Sequence, residues 1–572
     1  MLGFGRSALS VAAGRADATS PGDSGADSSG ASLTIPALFD RAVARYGARP
    51  AIDFLGRRWT YAQLADLVDR AASGLQDLGV GKGSMVGLCL PNTPYSVIFF
   101  FAVLKAGGTV VNYNPLYVER ELKEQIVDSG TTIMVVPDLA EIHRKVAAVA
   151  AESGLNRIVV CPMAGILTPV RAALFALWHR KDRARFEKDS RHLTFSQVIT
   201  RVPGPRPIAV SPQDVAVLQY TGGTTGTPKG ATLTHANLIA NCRQMVAHMP
   251  SIRMGKERVL GVLPLFHVFA MTTVMNLAVA TGAEMVLLPR FVLRQVMRCI
   301  ERRKITILPA VPTIYAAINE KSKQGAHDLT SITLCVSGGA PLPGDVRHRF
   351  ETLTGCKLVE GYGLTEASPV VACNPTDGRV KDGSVGIAIP DTQIEIRDPA
   401  EPSRVLGPNQ RGEVCVRGPQ VMAGYWRRPA ETRDVFVDGA LRTGDIGYLD
   451  QEGYLFLVDR IKDVILCGAY NVYPRILEEA LYQHPAVAEA VVVGVPDSYR
   501  GQAPKAFITL REGMTATPDE LLAFLTGYVS KIELPREVEI RTSLPKTMIG
   551  KLSKKELVAE EYARARPHED MR

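Results

Sequence analysis

From about Thr34 onward the chain alternates two textures: apolar residues spaced three and four apart, and short apolar runs rich in β-branched side chains. The first texture predicts helices over 61–78 and 96–106, and the second predicts strands over 84–90 and 109–111. The rhythm returns with strands at 258–263, 283–287, 305–308 and 333–336. Strands alternating with helices imply α/β layers with largely parallel sheets. From about Asp391 the pattern shifts to closely spaced short strands and Gly-containing turns, such as Gly407-Pro408-Asn409 and Asp450-Gln451-Glu452-Gly453. This predicts a smaller β-rich unit. After Asp459-Arg460 a compact block follows, with helices over 476–484 and 520–529 and strands over 487–495 and 505–510. The predicted fold class is therefore α/β: a large N-terminal body of layered α/β subdomains plus a β-rich subdomain, then a small α+β C-terminal domain. The boundaries expected are 34–458 for the body, 459–463 for a hinge, 464–560 for the small domain and 561–572 for a tail.

Two segments break the rhythm. Residues 1–33 are rich in Ala, Gly, Ser and Asp and read as a disordered extension. Around Thr168-Pro169, good helix-start chemistry, Val170, Leu174, Leu177 and Trp178 fall on one helical face, while Arg171, Arg180, Lys181, Arg183 and Arg185 crowd the rest. A basic amphipathic helix of this kind fits a membrane interface or packs on its own domain. The sequence pattern alone supports both. It forms the centre of a basic insertion at about 160–191.

Length and composition agree with this division, since 572 residues exceed what one core organises. The net charge is +8, and its placement matters more than its size. Residues 157–191 hold eight basic and three acidic residues, whereas 462–572 hold 15 and 16. No chain-wide nucleic-acid footprint results. The nine cysteines form no Cys-x-x-Cys pair or Cys/His ligand spacing, and read as reduced thiols of a cytoplasmic protein without zinc. No apolar run reaches the length of a membrane span.

Three motifs carry candidate chemistry. Tyr220-Thr221-Gly222-Gly223-Thr224-Thr225-Gly226-Thr227-Pro228-Lys229-Gly230 follows the apolar run 215–218. Its glycines allow close backbone approach, its threonines donate to phosphate oxygens, and Lys229 supplies positive charge. It is not a Walker loop, because Lys229 stands between Pro and Gly. Glu360-Gly361-Tyr362-Gly363-Leu364-Thr365-Glu366 offers a flat ring for a base at Tyr362, a hydroxyl at Thr365 and a hard oxygen ligand for Mg²⁺ at Glu366. Leu441-Arg442-Thr443-Gly444-Asp445 puts a carboxylate on a Gly turn, suited to vicinal ribose hydroxyls.

These blocks, in this order over roughly 34–560, resemble the signatures of the adenylate-forming superfamily of acyl-CoA synthetases, beetle luciferases and peptide-synthetase adenylation domains. The overall pattern is most similar to bacterial medium- and long-chain fatty acyl-CoA synthetases. The resemblance implies that Thr221, Gly222, Gly223, Thr224, Thr225, Gly226, Thr227 and Lys229, with Gly339 of Ser337-Gly338-Gly339-Ala340-Pro341, bind ATP. It further implies that Tyr362 lies against adenine, Thr365 reaches the α-phosphate, Glu366 with Thr221 holds Mg²⁺, and Asp445 binds the ribose with help from Arg460. Lys551 of Leu544-Pro545-Lys546-Thr547-Met548-Ile549-Gly550-Lys551 matches the catalytic lysine, and His267 of Pro264-Leu265-Phe266-His267 matches a histidine near the acyl carboxylate. Lys462 matches the hinge about which the small domain turns as a mobile lid. Gly468, Ala469 and Tyr470 match the segment lining the CoA channel, although many relatives carry Ser-Gly-Gly or Ser-Gly-Phe where this chain has Cys467-Gly468-Ala469.

The expected activity is an AMP-forming fatty acid–CoA ligase using ATP, CoA and Mg²⁺. Dicarboxylate or aromatic acyl-CoA ligation, fatty acyl-AMP ligation and a non-catalytic lipid- or nucleotide-binding relative are the alternatives. Small-molecule substrates are the expected partners, with membrane contact through 165–191 and a homodimer compatible with the sequence, and nucleic acid excluded.

Overall fold

The computed structural model describes residues 33–565, apart from 187–188, 201–203, 222–227, 323–326, 468–469, 498–499 and 548–549. Among the described residues the chain forms four sheets. Two large ones build most of the body. In one, Arg258–Gly261, Glu284–Leu287, Ile307–Ala310, Leu334–Gly338 and Lys357–Gly363 lie parallel, Val370–Cys373 pairs antiparallel to the last of them, and Ile387–Ala388 forms the edge beyond it. In the other, Met85–Leu88, Thr109–Asn112, Ile133–Pro137, Arg157–Cys161 and Val215–Thr221 run parallel, and Lys229–Thr234 folds back on Val215–Thr221 as a hairpin. These are the α/β layers that the alternating texture predicts.

The helix Pro94–Lys105 shows why a pattern can lack periodicity and still be a helix. Every residue from Pro94 to Leu104 is buried, including Phe99, Phe100 and Phe101. A helix buried on all sides needs no polar face. Amphipathic helices such as Tyr61–Asp77, which starts on a Thr60–Gln63 capping box, pack beside it and present their outer face to water.

The β-rich unit is a sheet of Gln393–Arg397, Gly412–Arg417, Ala440–Leu449 and Phe436–Val437, with Leu455–Arg460 added to Ala440–Leu449. The short turn Ile461–Asp463 then leads into the small domain. There Val487–Asp497 and Gly501–Leu510 form a long hairpin, with Glu537–Ile540 parallel to it and Pro474–Tyr482 and Pro518–Leu525 contributing to its core. The last helix, Lys554–Ala565, buries Leu557 against the hairpin's other face and brings Glu561 to Lys505 at 3.1 Å. The tail boundary expected at 560 falls inside this helix. Residues 1–32 of the expected extension lie outside the described residues.

The basic insertion departs from expectation in one respect. Its helix, Pro169–Trp178, ends before the basic cluster, so Arg180, Lys181, Arg183 and Arg185 follow it instead of flanking its face. A backbone bond from Ala140 to the Asp182 carbonyl (2.7 Å) and an Arg183–Asp138 ion pair tie that following segment to the body. The apolar face stays open: Val170 is 72 % exposed, Leu177 71 % and Trp178 71 %. Among the described residues no helix is long and apolar enough to cross a membrane.

One close approach holds the Tyr362 block in shape. A Cβ on Gly363 would stand 2.2 Å from the carbonyl oxygen of Pro369, the residue just before the adjoining strand Val370–Cys373. Gly363→Ala should therefore push the two strands apart and lower stability by about 1–3 kcal/mol, measured as a shift in the chemical denaturation midpoint.

Candidate active site

The candidate residues converge where the two large sheets, the β-rich unit and the small domain meet. Asp445 lies within the strand Ala440–Leu449 and not on the Gly turn expected from its motif, at an irregularity in the pairing with Gly412–Arg417. That irregularity is shaped by Glu413, whose carboxylate accepts from the Gly444 amide (3.1 Å) and from Arg442 Nε (2.8 Å). Gly444 has φ +73°, a left-handed conformation that suits glycine. Asp445, buried, then accepts from the Tyr362 hydroxyl at 2.5 Å and from Arg460 Nε at 3.0 Å. Burial and the Asp445 charge hold the Tyr362 phenol well above its ordinary pKa, so it remains a neutral donor.

A second group forms around His267. Asn92 bonds the carbonyls of Gly261 and Leu263 and accepts from the Leu265 amide, which shapes the chain leading into the His267 segment. Gln219, on the strand preceding the glycine-rich loop, donates to the Phe266 carbonyl at 2.9 Å. His267 Nδ1 accepts from the Phe269 amide, and a buried π-helical turn, Met271–Asn276, follows. Burial and the nearby Lys551 charge push the His267 pKa down to about 3. The imidazole is therefore neutral at physiological pH.

Lys551 reaches this place from the small domain. Its loop docks through the Thr313 hydroxyl, which donates to the Gly550 carbonyl at 3.0 Å, and is closed internally by Thr547. Gly339 makes room, because a Cβ there would sit 2.4 Å from Lys551 Cε. Its φ of +86° also favours glycine. Loss of hydration and the Arg460 charge lower the Lys551 pKa to about 8, against the opposing pull of Asp445.

A third group lies beside the glycine-rich loop. Thr221 and Lys229 pair across the hairpin at its base, and Glu366 sits on the short turn Thr365–Ala367 after the Tyr362 strand. Tyr425 bridges them, its hydroxyl 2.8 Å from Glu366 Oε1 and its ring 5.3 Å from Lys229 Nζ. The Gly222, Gly223, Thr224, Thr225, Gly226 and Thr227 positions lie outside the described residues, as do Gly468 and Ala469. Tyr470 is exposed on the strand Tyr470–Val472 of the small domain, which pairs with Ile465–Cys467, and makes no bond to these three groups among the described residues.

Sequence comparison agrees with this convergence. Residues 39–426 match the model described as AMP-binding enzyme, and 477–551 match its C-terminal domain. The chain belongs to the AMP-binding enzyme family. It is 41 % identical over 535 residues to the long-chain-fatty-acid–CoA ligase of Bacillus subtilis, covering 92 % of this chain and 94 % of that one. It is 36 % identical to the Salmonella typhimurium protein of the same name, covering 91 % and 93 %. Among solved structures it resembles ATP-bound MatB from Rhodopseudomonas palustris, with TM-score 0.78 and 28 % identity over 92 % of this chain and 99 % of that one.

For a member of this family, the site contains supporting residues that the motifs do not announce. Tyr425 touches the candidate ligand Glu366, while Asn92, Gln219 and Glu413 hold the chain just before His267 and Asp445, all from strands and loops far away in sequence. The donor set suits Mg²⁺ that keeps water and phosphate oxygens as ligands. It consists of one carboxylate, Glu366, with the Thr221 and Thr365 hydroxyls in the same motifs. Among the described residues no cluster of three or more His, Cys, Asp or Glu side chains could form an all-protein metal cage.

The Lys551 pKa carries a sign that can be checked. The ammonium is present below about pH 8 and is lost as pH rises through that value. If the cation is required, kcat/KM for adenylate formation should fall on the alkaline side of about 8. In Lys551→Arg that limb should vanish even if the rate is lower.

Proposed function

We propose that this chain is an ATP-dependent, AMP-forming ligase that joins medium- or long-chain fatty acids to CoA. The observation that carries the reading is the arrival of Lys551 at Gly339, beside His267 and the Tyr362–Asp445–Arg460 corner. It occurs in a chain that matches a protein named long-chain-fatty-acid–CoA ligase along nearly its whole length.

In the first half-reaction a carboxylate oxygen attacks the α-phosphorus of ATP while the bond to pyrophosphate breaks. This yields an acyl-adenylate. Negative charge grows on the α-phosphoryl oxygens, and in this reading Lys551 and the Thr365 hydroxyl stabilise it. Tyr362 provides the face for adenine, Asp445 and Arg460 hold the ribose, and the loop 221–229 grips the remaining phosphates. Neutral His267 orients the carboxylate without adding charge. Glu366 and Thr221 would hold Mg²⁺, which supplies charge neutralisation on the triphosphate.

For the second half-reaction the Lys551 loop has to leave. Rotation about Lys462, in the exposed turn Ile461–Asp463, withdraws it and brings the residues Gly468, Ala469 and Tyr470 to the site. The CoA thiol then loses its proton and attacks the acyl carbonyl, and AMP departs. The open apolar face of Pro169–Trp178 and the basic residues after it fit an anionic lipid surface, where long-chain acids partition.

Two experiments test the reading. Lys551→Ala should lower pyrophosphate exchange by about a hundredfold or more while ATP still binds, and full exchange would refute it. A ligation screen over C4 to C18 acids, with dicarboxylic and aryl acids included, should show turnover concentrated on the longer monocarboxylates. For the lipid surface, co-sedimentation with phosphatidylglycerol vesicles should drop about tenfold or more when Arg180, Lys181 and Arg185 become Glu. Arg183 is left intact because it pairs with Asp138. Unchanged sedimentation would rule that surface out.

A further inference from the structure

Lys229 and Glu366 belong to different sheets. Lys229 begins a strand of one, and Glu366 follows the Tyr362 strand of the other. A triphosphate gripped by both requires their separation to be set before it arrives, because positioning that is made in advance costs nothing at the moment of reaction.

The segment 422–428 spans this gap. Its strand Gly424–Tyr425 pairs with Ala231 and Thr232 at the edge of the Lys229 sheet, and the Trp426 amide donates to the Gly230 carbonyl at 2.8 Å. On the other side, the Met422 amide donates to the Glu366 carbonyl at 2.7 Å. The segment is pinned at its far end as well. Arg428 donates to Asp128 at 2.9 Å, and Asp128 also accepts from the hydroxyl of Tyr220, the residue before Thr221. Within the segment, the Tyr425 amide donates to the Thr432 hydroxyl, which donates back to the Arg428 carbonyl.

Tyr425 is held at this crossing with its two functional parts facing different partners. The hydroxyl donates to one Glu366 oxygen, a bond to a charged acceptor, and the ring face attracts the Lys229 ammonium. With Oε1 engaged by Tyr425, Glu366 offers its other oxygen to an ion.

We propose that Tyr425 is a positioning residue that fixes the Glu366 carboxylate relative to the Lys229 ammonium and so sets the affinity of the nucleotide-bound metal. This rests on the nucleotide reading of the site given above. Two substitutions separate the parts of the side chain: Tyr425→Phe keeps the ring and removes the hydroxyl, and Tyr425→Leu removes both.

The test uses the full chain with Mn²⁺ as the probe, titrated by the electron paramagnetic resonance signal of free Mn²⁺ in the presence of α,β-methylene-ATP. Tyr425→Phe should weaken Mn²⁺ binding about tenfold and leave metal-free binding of the analogue unchanged within about twofold. Tyr425→Leu should weaken metal-free binding as well. In a Glu366→Gln background, Tyr425→Phe should have no further effect on Mn²⁺ binding, whereas a merely structural role would lower it again. Wild-type Mn²⁺ affinity in Tyr425→Phe, with an unchanged thermal unfolding profile, overturns the proposal. If the unsubstituted protein fails to bind Mn²⁺ with the analogue, the nucleotide reading itself falls. Binding by the unsubstituted protein with no loss in Tyr425→Phe removes only the role of Tyr425.

Discussion

The ammonium of Lys551 gives up much of its water where it enters the body beside Gly339, and the Arg460 charge opposes it there. A cation can be kept in such a place only if its surroundings are arranged for a negative charge to come. The rest of the site is consistent with that constraint. His267, next to it, is neutral. Asp445 is engaged by Tyr362 and Arg460, and Glu366 by Tyr425. The cation is presented from a separate domain, whose loop meets the body through the Thr313 hydroxyl on the Gly550 carbonyl.

The body's architecture serves the same end. Several parallel strands of each large sheet carry their site residues at or just beyond their C-terminal ends, as with Thr221 after Val215–Leu218 and Gly339 after Leu334–Gly338. This is where open α/β sheets offer a crevice. Irregular backbone also lines the site: the left-handed glycines Gly339 and Gly444, the π-helical turn after His267, and the short turn of Glu366. Between the sheets, fully apolar packing such as that around Phe99, Phe100 and Phe101 leaves no room for such irregularity.

Much of this was legible along the chain. Alternating textures foretold the parallel layers, the change near Asp391 foretold the β-rich unit, and the motifs picked out residues such as Tyr362, Asp445 and Arg460 that the fold brings together. The basic insertion was legible in composition but not in geometry. Its helix stops at Trp178, and whether its apolar face packed inward depended on the neighbouring surface. Tyr425, Gln219 and Asn92 carried no signal, because a lone tyrosine or amide looks the same in sequence whether it faces water or a carboxylate.

What the sequence by itself determined is local: periodicity fixes which segments become strands or helices, and a glycine-rich or carboxylate-bearing turn announces its chemistry through residue type and spacing. What only the tertiary structure decided is which of those pieces meet. Lys551 and Gly339 are separated by more than two hundred residues, as are Lys229's neighbour Tyr220 and the Arg428 that shares Asp128 with it. Such contacts arise from the packing of whole sheets and domains, whose energy is spread over many buried side chains, so no single stretch of sequence encodes them.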